Sequence, residues 1–304
     1  MSRKVLQAMS TKIPSGLGWV DPLPLRVPSV VDSEYLARFR RHCSICENRE
    51  SERDYELVAP DSEERVCFPP LDSSEKLFFY AYDCFFSKLS VRLPFTDLES
   101  EVLWSCNLAP TQLHPNSWAF LKLFQLLCQF LGVAPSISLF SYLFVLTKPG
   151  SGGGKVSWVS FRANQGRKFC TLYDESFHDF KNFYFKVRAT GDVRPFFLDE
   201  SGEPSFPLCW QENVVSTKYT LESLDEVEQA FVGVVSSLWG RAPHLDTKKM
   251  LGDPSLLRSE LGSSRPLRDF IFFSILALLV LVEFLFVVIL FLLFLQRCLL
   301  RRIP

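Results

Sequence analysis

Between Asn116 and Leu131 the polar residues Lys122, Gln125 and Gln129 form one narrow line at helical spacing, and Trp118, Phe120, Leu121, Phe124, Leu127, Cys128 and Leu131 cover the rest of the circumference. A helix that is apolar on most of its surface is a buried one. Pro115 suits the first helical turn, Asn116 or His114 is placed to cap it, and Gly132 suits its C-terminal stop. The pattern predicts the central helix of a core.

Helical spacing also begins at Leu77, where Phe78, Tyr82, Phe85 and Leu89 recur at three- and four-residue intervals and Phe79 and Phe86 widen the face. Pro94 ends that unit. Thr96 with Glu99 fits a capping box, followed by an apolar face of Leu98, Val102, Leu103 and Cys106. After Pro135 the run Leu139 to Leu146 suits buried helix or buried strand, and its length and the preceding proline favour helix. Past the glycines of 150–154 the period changes. Val156 to Phe161 and Lys168 to Leu172, separated by Asn164-Gln165-Gly166, predict a hairpin, and Asn182 to Arg188 alternates as a half-buried strand should. A last amphipathic helix is expected from about Thr220, with Leu221, Leu224, Phe231, Val235 and Leu238 on one side.

Outside these segments periodicity is weak. Residues 1–33 hold four prolines and predict a flexible arm, after which Asp32 or Ser33 is placed to cap a short helix through Tyr35, Leu36 and Phe39. Glu47 to Asp72 is acidic and predicts a linker or a solvated surface, and Gly240 to Pro266 predicts another linker. The expected fold class is α+β: a mainly helical N-terminal half, then a small antiparallel sheet, with one C-terminal transmembrane helix.

That last helix is the run Phe270 to Leu295, 26 residues with the single charge Glu283. At about 1.5 Å per residue it reaches roughly 39 Å, more than the roughly 30 Å of a bilayer's hydrocarbon layer. Arg265 and Arg268 precede it and Arg297, Arg301 and Arg302 follow, so the positive-inside rule does not select an orientation. With nine residues after the span, the expectation is a tail anchor with the N-terminal domain in the cytosol and the bilayer as partner of 270–295. Glu283 is the intramembrane charge, either paired with another helix or carried as a protonated carboxyl. Nuclear or cytoplasmic placement follows instead if the apolar run comes from a reading frame continuing into T-rich noncoding DNA.

Charge adds local rather than global information. The 33 Lys and Arg against 34 Asp and Glu leave a net charge of −1, so no overall field recruits nucleic acid. Between 151 and 190, however, Lys155, Arg162, Arg167, Lys168, Lys181, Lys186 and Arg188 interleave with Trp158, Phe161, Phe169, Tyr173, Phe177, Phe183, Tyr184 and Phe185. Cations alternating with rings can hold single-stranded nucleic acid, with Lys155, Arg162, Arg167, Lys168, Lys186 and Arg188 as the contacts. The simpler reading, favoured by the alternation itself, is that the rings build a sheet core while the charges meet water.

Other chemistry is sparse. Nine cysteines at irregular spacing, with no apolar leader between Met1 and Pro28, suggest reduced thiols. Cys43-Ser-Ile-Cys46 beside His42 lacks a second ligand pair for zinc, Cys67 being the only near candidate. Gly150 to Lys155 departs from the phosphate-loop template because Val156 follows the lysine. No catalytic residue, metal ligand or cofactor site is expected.

At Leu93-Pro-Phe95 and Leu108-Ala-Pro-Thr-Gln-Leu-His-Pro-Asn-Ser-Trp118, with Phe124, Leu127-Cys128 and Leu131-Gly132 behind, the chain resembles the plant gypsy-type transposon domain. The likeness covers about residues 75–215, including Val156 to Val159, Phe183 to Val187 and Phe206 to Trp210. It implies descent from a retrotransposon reading frame and carries over no catalytic residue. The C-terminal span departs from that family's pattern. The domain reading is a flexible arm and acidic linker over 1–74, a transposon-derived α+β domain over 75–240, a linker over 241–269, the span over 270–295 and a basic tail over 296–304. The functional expectation is a non-enzymatic, membrane-anchored protein. The alternative is a gag-like module that binds nucleic acid.

Overall fold

The computed structural model describes residues 14–69, 77–147, 154–175, 177, 180–190 and 194–262. The chain divides into two compact units, Met1–Pro254 and Ser255–Pro304. The expected span and Glu283 lie outside the described residues. Among the described residues no helix is long and apolar enough to cross a membrane.

The central helix forms as its pattern predicts. Helix α4 runs Pro115–Leu131, and of the two candidate caps it is His114 whose side chain accepts from the Asn116 N–H. Gly132 ends it at φ 69°, the left-handed conformation that glycine adopts without a Cβ penalty. Trp118, Leu121, Phe124, Leu127 and Cys128 are all solvent-free. Each fully buried Leu or Phe contributes about 1.5–3 kcal/mol, which outweighs the modest helix propensity of the aromatics. The Trp118 ring lies 4.9 Å from Phe85 and 5.2 Å from Phe95, and its indole N–H donates to the Pro110 carbonyl at 3.1 Å.

Before α4 come α1 (Ser33–His42), capped by Asp32, then strand β1 (Tyr55–Val58), strand β2 (Phe78–Tyr82), α2 (Asp83–Ser87) and α3 (Asp97–Ser105). α3 carries the expected Thr96/Glu99 capping box. The helical pattern read from Leu77 is corrected: its first half is strand, and the helix is limited to the five residues of α2. Every residue of β2 is buried, so both faces are apolar and the period of two that marks a strand is erased. The acidic segment read as linker supplies β1 and the buried Glu64, Arg65, Val66, Cys67 and Phe68.

After α4, α5 (Ile137–Leu143) passes directly into β3 (Phe144–Thr147), so the ambiguous run is helix and then strand. β4 (Ser160–Ala163) pairs antiparallel with β3, Phe144 opposite Ala163. This corrects the expected hairpin. The turn at Asn164 to Gly166 exists, with Arg167 N–H bonded to the Asn164 carbonyl at 2.9 Å, but the following Cys170 bridges to Leu245 instead of to β4.

β5 (Tyr184–Ala189) is the middle strand of a three-stranded antiparallel sheet in the order β1-β5-β2. Tyr55 faces Ala189 on one side and Tyr82 faces Tyr184 on the other. The strand read as half-buried is thus covered on both faces over Tyr184 to Val187, Lys186 included. α6 (Glu226–Ser236) starts at Asp225 with a capping box, after a single 3-10 turn at Leu221–Ser223. Phe231 of α6 meets Phe124 at 5.9 Å. Where a linker was read after Gly240, α7 (Thr247–Gly252) packs on α4, and α8 (Leu256–Gly262) lies in the second unit. Short helices held by tertiary packing need no long apolar period.

Candidate functional site

Of the polar line of α4, Gln129 is exposed, while Lys122 and Gln125 meet the start of α3. Lys122 Nζ lies 3.2 Å from Glu99 Oε1, and Gln125 donates from Nε2 to Thr96 Oγ1 at 2.6 Å. Glu99 Oε2 accepts from the Thr96 N–H at 3.0 Å, and its side chain is wholly buried. The capping carboxylate of α3 is therefore neutralised by α4, and the two helix surfaces wall a groove of about 650 Å³. Glu47, Asp97, Leu98, Leu126 and Val133 contribute to its lining, with Ser90, whose φ of 55° is unusual for a residue bearing a Cβ. The groove offers apolar contact and the carboxylates of Glu47 and Asp97.

Two titratable constellations lie elsewhere. His114 accepts the Asn116 N–H through Nδ1 at 3.2 Å and stands 5.2 Å from the Phe180 ring. Desolvation, reinforced by the charge of Lys181, lowers its pKa to about 4, so the imidazole is neutral when it caps the helix. Tyr35 donates its hydroxyl to Asp83 Oδ2 at 2.6 Å. Burial raises the Asp83 carboxyl, and burial together with Asp83 raises the Tyr35 phenol. This pair is 48 residues apart in sequence, and no spacing rule finds it.

The cations proposed to touch nucleic acid do not form one track. Lys155, Arg162 and Lys168 are exposed. Arg167 lays its guanidinium 3.6 Å from the Tyr142 ring centroid. Lys186 is buried, paired with Glu64, and its Nζ lies 4.5 Å from the Phe78 ring, so its charge faces inward. Arg188 is half-buried, 5.8 Å from the same ring. Arg162 sits on β4 while Lys186 and Arg188 sit on β5, in a different sheet. Of the interleaved rings, Trp158, Phe161, Phe169, Phe177, Tyr184 and Phe185 are buried. The Trp158 indole donates to the Tyr82 hydroxyl at 2.8 Å, and Lys181 covers its ring at 4.6 Å.

Cys46 is buried and Cys43 half-buried, both free thiols, and burial raises the pKa of each. Among the described residues no group of three or more His, Cys, Asp or Glu is placed to hold a metal ion. Most of the Gly150 to Lys155 loop lies outside the described residues.

The elements from the end of β2 to the end of β3 supply α4 itself and every lining residue of the groove except Glu47. Residues 82–148 match the family described as "Putative gypsy type transposon". The matched stretch holds the Leu108 to Trp118 motif, with Trp118 in the core and His114 at the helix cap. The residues of 149–215 included in the sequence likeness lie beyond the match. No curated protein and no solved structure matches the chain.

Proposed function

We propose that the chain is a non-catalytic, transposon-derived α+β module held at a membrane by its apolar segment 270–295, with the first unit on the cytosolic side. The observation that carries the non-catalytic reading is the role of the buried polar groups. His114 caps α4, Glu99 caps α3 and pairs with Lys122, Glu64 pairs with Lys186, and Glu228 accepts from Ser138 at 2.6 Å while capping α6. Glu99, Glu64 and Glu228 each close a contact between elements, and the half-buried His114 closes the start of its own helix. The gypsy-type region supports descent from a transposon.

The membrane reading is supported by the composition of 270–295, since Leu, Ile, Val and Phe each favour insertion by about 0.3–0.6 kcal/mol and outweigh one carboxylate. The free thiols of the described cysteines suit a reducing compartment. A soluble reporter fused before residues 255–304 is expected to resist carbonate extraction, and a glycosylation acceptor added after Pro304 to be modified in microsomes. Release by carbonate removes the anchor, and retention without glycosylation rejects the orientation or the organelle.

The alternative, single-stranded nucleic acid on the cationic segment, has in its favour the exposed Lys155, Arg162 and Lys168. Burial of most of the rings weighs against stacking. Binding of single-stranded RNA whose logarithmic affinity falls steeply with log salt would favour that alternative.

A further inference from the structure

α3 buries Leu98, Glu99, Val102 and Leu103 and turns Asp97, Glu101 and Trp104 outward, at spacings of four and three. These three form one exposed ridge. Trp104 is 63% exposed, the most of any large apolar side chain among the described residues. Val215, 49% exposed, is held near the end of the ridge, because its N–H donates to the Cys106 carbonyl at 3.0 Å and Asn107 Nδ2 donates to the Asn213 carbonyl at 2.8 Å. At the other end Asp97 belongs also to the groove, with Glu47 and the apolar Leu98, Leu126 and Val133.

The surface is therefore continuous from groove to indole, and its charge has one sign. Lys122, the groove's cation, is already paired with Glu99, which leaves Glu47, Asp97 and Glu101 acidic. Partial burial, and then the charge of Asp97, raise the Glu101 carboxyl. A neighbouring cation relieves such crowding. Scattered exposed apolar residues are ordinary, but an indole beside carboxylates and an apolar groove selects for particular chemistry. A guanidinium satisfies both parts, because it pairs with carboxylates in a planar fork and stacks on an indole face.

We propose that the Asp97–Glu101–Trp104 ridge and the adjoining groove are a docking surface for an extended, arginine-rich peptide segment of a partner protein. The segment lays its arginines on the ridge and its small apolar side chains in the groove. The test uses the full chain in mild detergent and a fluorescein-labelled (Arg-Ala)4 peptide, with (Lys-Ala)4 and (Glu-Ala)4 alongside, read by fluorescence polarisation. The Arg peptide is expected to bind more tightly than the Lys peptide and the Glu peptide not at all. Trp104→Ala and, separately, the pair Asp97→Asn with Glu101→Gln are expected to weaken the Arg peptide about tenfold. All three side chains are exposed, so thermal melts of the variants should superimpose on the wild type. Equal binding of the Glu peptide, or wild-type affinity in both variants, overturns the proposal. Self-association abolished by Trp104→Ala, without peptide binding, also overturns it and assigns the ridge to a second copy.

Discussion

The His114 cap makes stability depend on pH in a direction that can be worked out. Its pKa is about 4 in the folded chain against the ordinary value of 6.5. Above pH 6.5 the imidazole is neutral in both states and contributes no pH dependence. As pH falls from 6.5 towards 4 the unfolded chain takes a proton that the folded chain refuses, so stability is lost across that window and levels off below it. The full difference corresponds to roughly 3 kcal/mol, and between pH 7 and pH 5 the loss is about 2 kcal/mol. Urea unfolding of the full chain in detergent, followed by tryptophan fluorescence at half-unit steps, measures it. His114→Asn is the matched control, because an Asn side chain caps the helix without titrating. The difference between the two profiles isolates His114 from other groups such as Asp83, whose raised carboxyl acts with the opposite sign. Parallel profiles from pH 7 to pH 5 would refute the desolvated cap.

Trp118→Ala should remove about 3–5 kcal/mol, because the ring is wholly buried between Phe85 and Phe95, and an unchanged melting temperature would show that the indole is not core. Lys186→Ala should cost about 3–5 kcal/mol by stranding the Glu64 carboxylate, whereas Lys186→Met with Glu64→Leu should cost far less in denaturant titrations. Equal losses in both would mean that the pair is not the reason for burial. Glu283→Leu should shift insertion by about 3 kcal/mol towards the bilayer, read as glycosylated fraction in a span shortened until the wild type inserts incompletely. No shift would place Glu283 outside the hydrocarbon layer.

The parts of the fold legible in the sequence are those whose signals are local. α4 could be read from its cap, its glycine stop and its polar line, and α3 from its capping box, because these determinants lie within a few residues of each other. β2 carries no strand signal in the sequence because strand periodicity survives only where one face meets water, and β2 has no such face. The partner of β4 is not legible locally, because a turn signal at Asn164 says nothing about which strand lies on the other edge. The cationic segment was legible as a pattern of charges and rings. Its geometry was not, since Lys186 is neutralised by a residue over a hundred positions earlier. The groove and the Tyr35–Asp83 pair had no local signature, because both are assembled from distant segments.

The place of β5 in the middle of its sheet has a consequence for synthesis on the ribosome. β1 and β2 are both edge strands, and neither pairs with the other; each waits for β5, about a hundred residues or more downstream. At about 5–20 residues per second, the strand Phe78–Tyr82 leaves the ribosome roughly 5–20 s before its partner exists. During that interval five consecutive residues, four of them aromatic, stand without their ladder. Chains truncated before Tyr184 should therefore be recovered with chaperones that hold extended apolar segments, while chains extended past Ala189 should not.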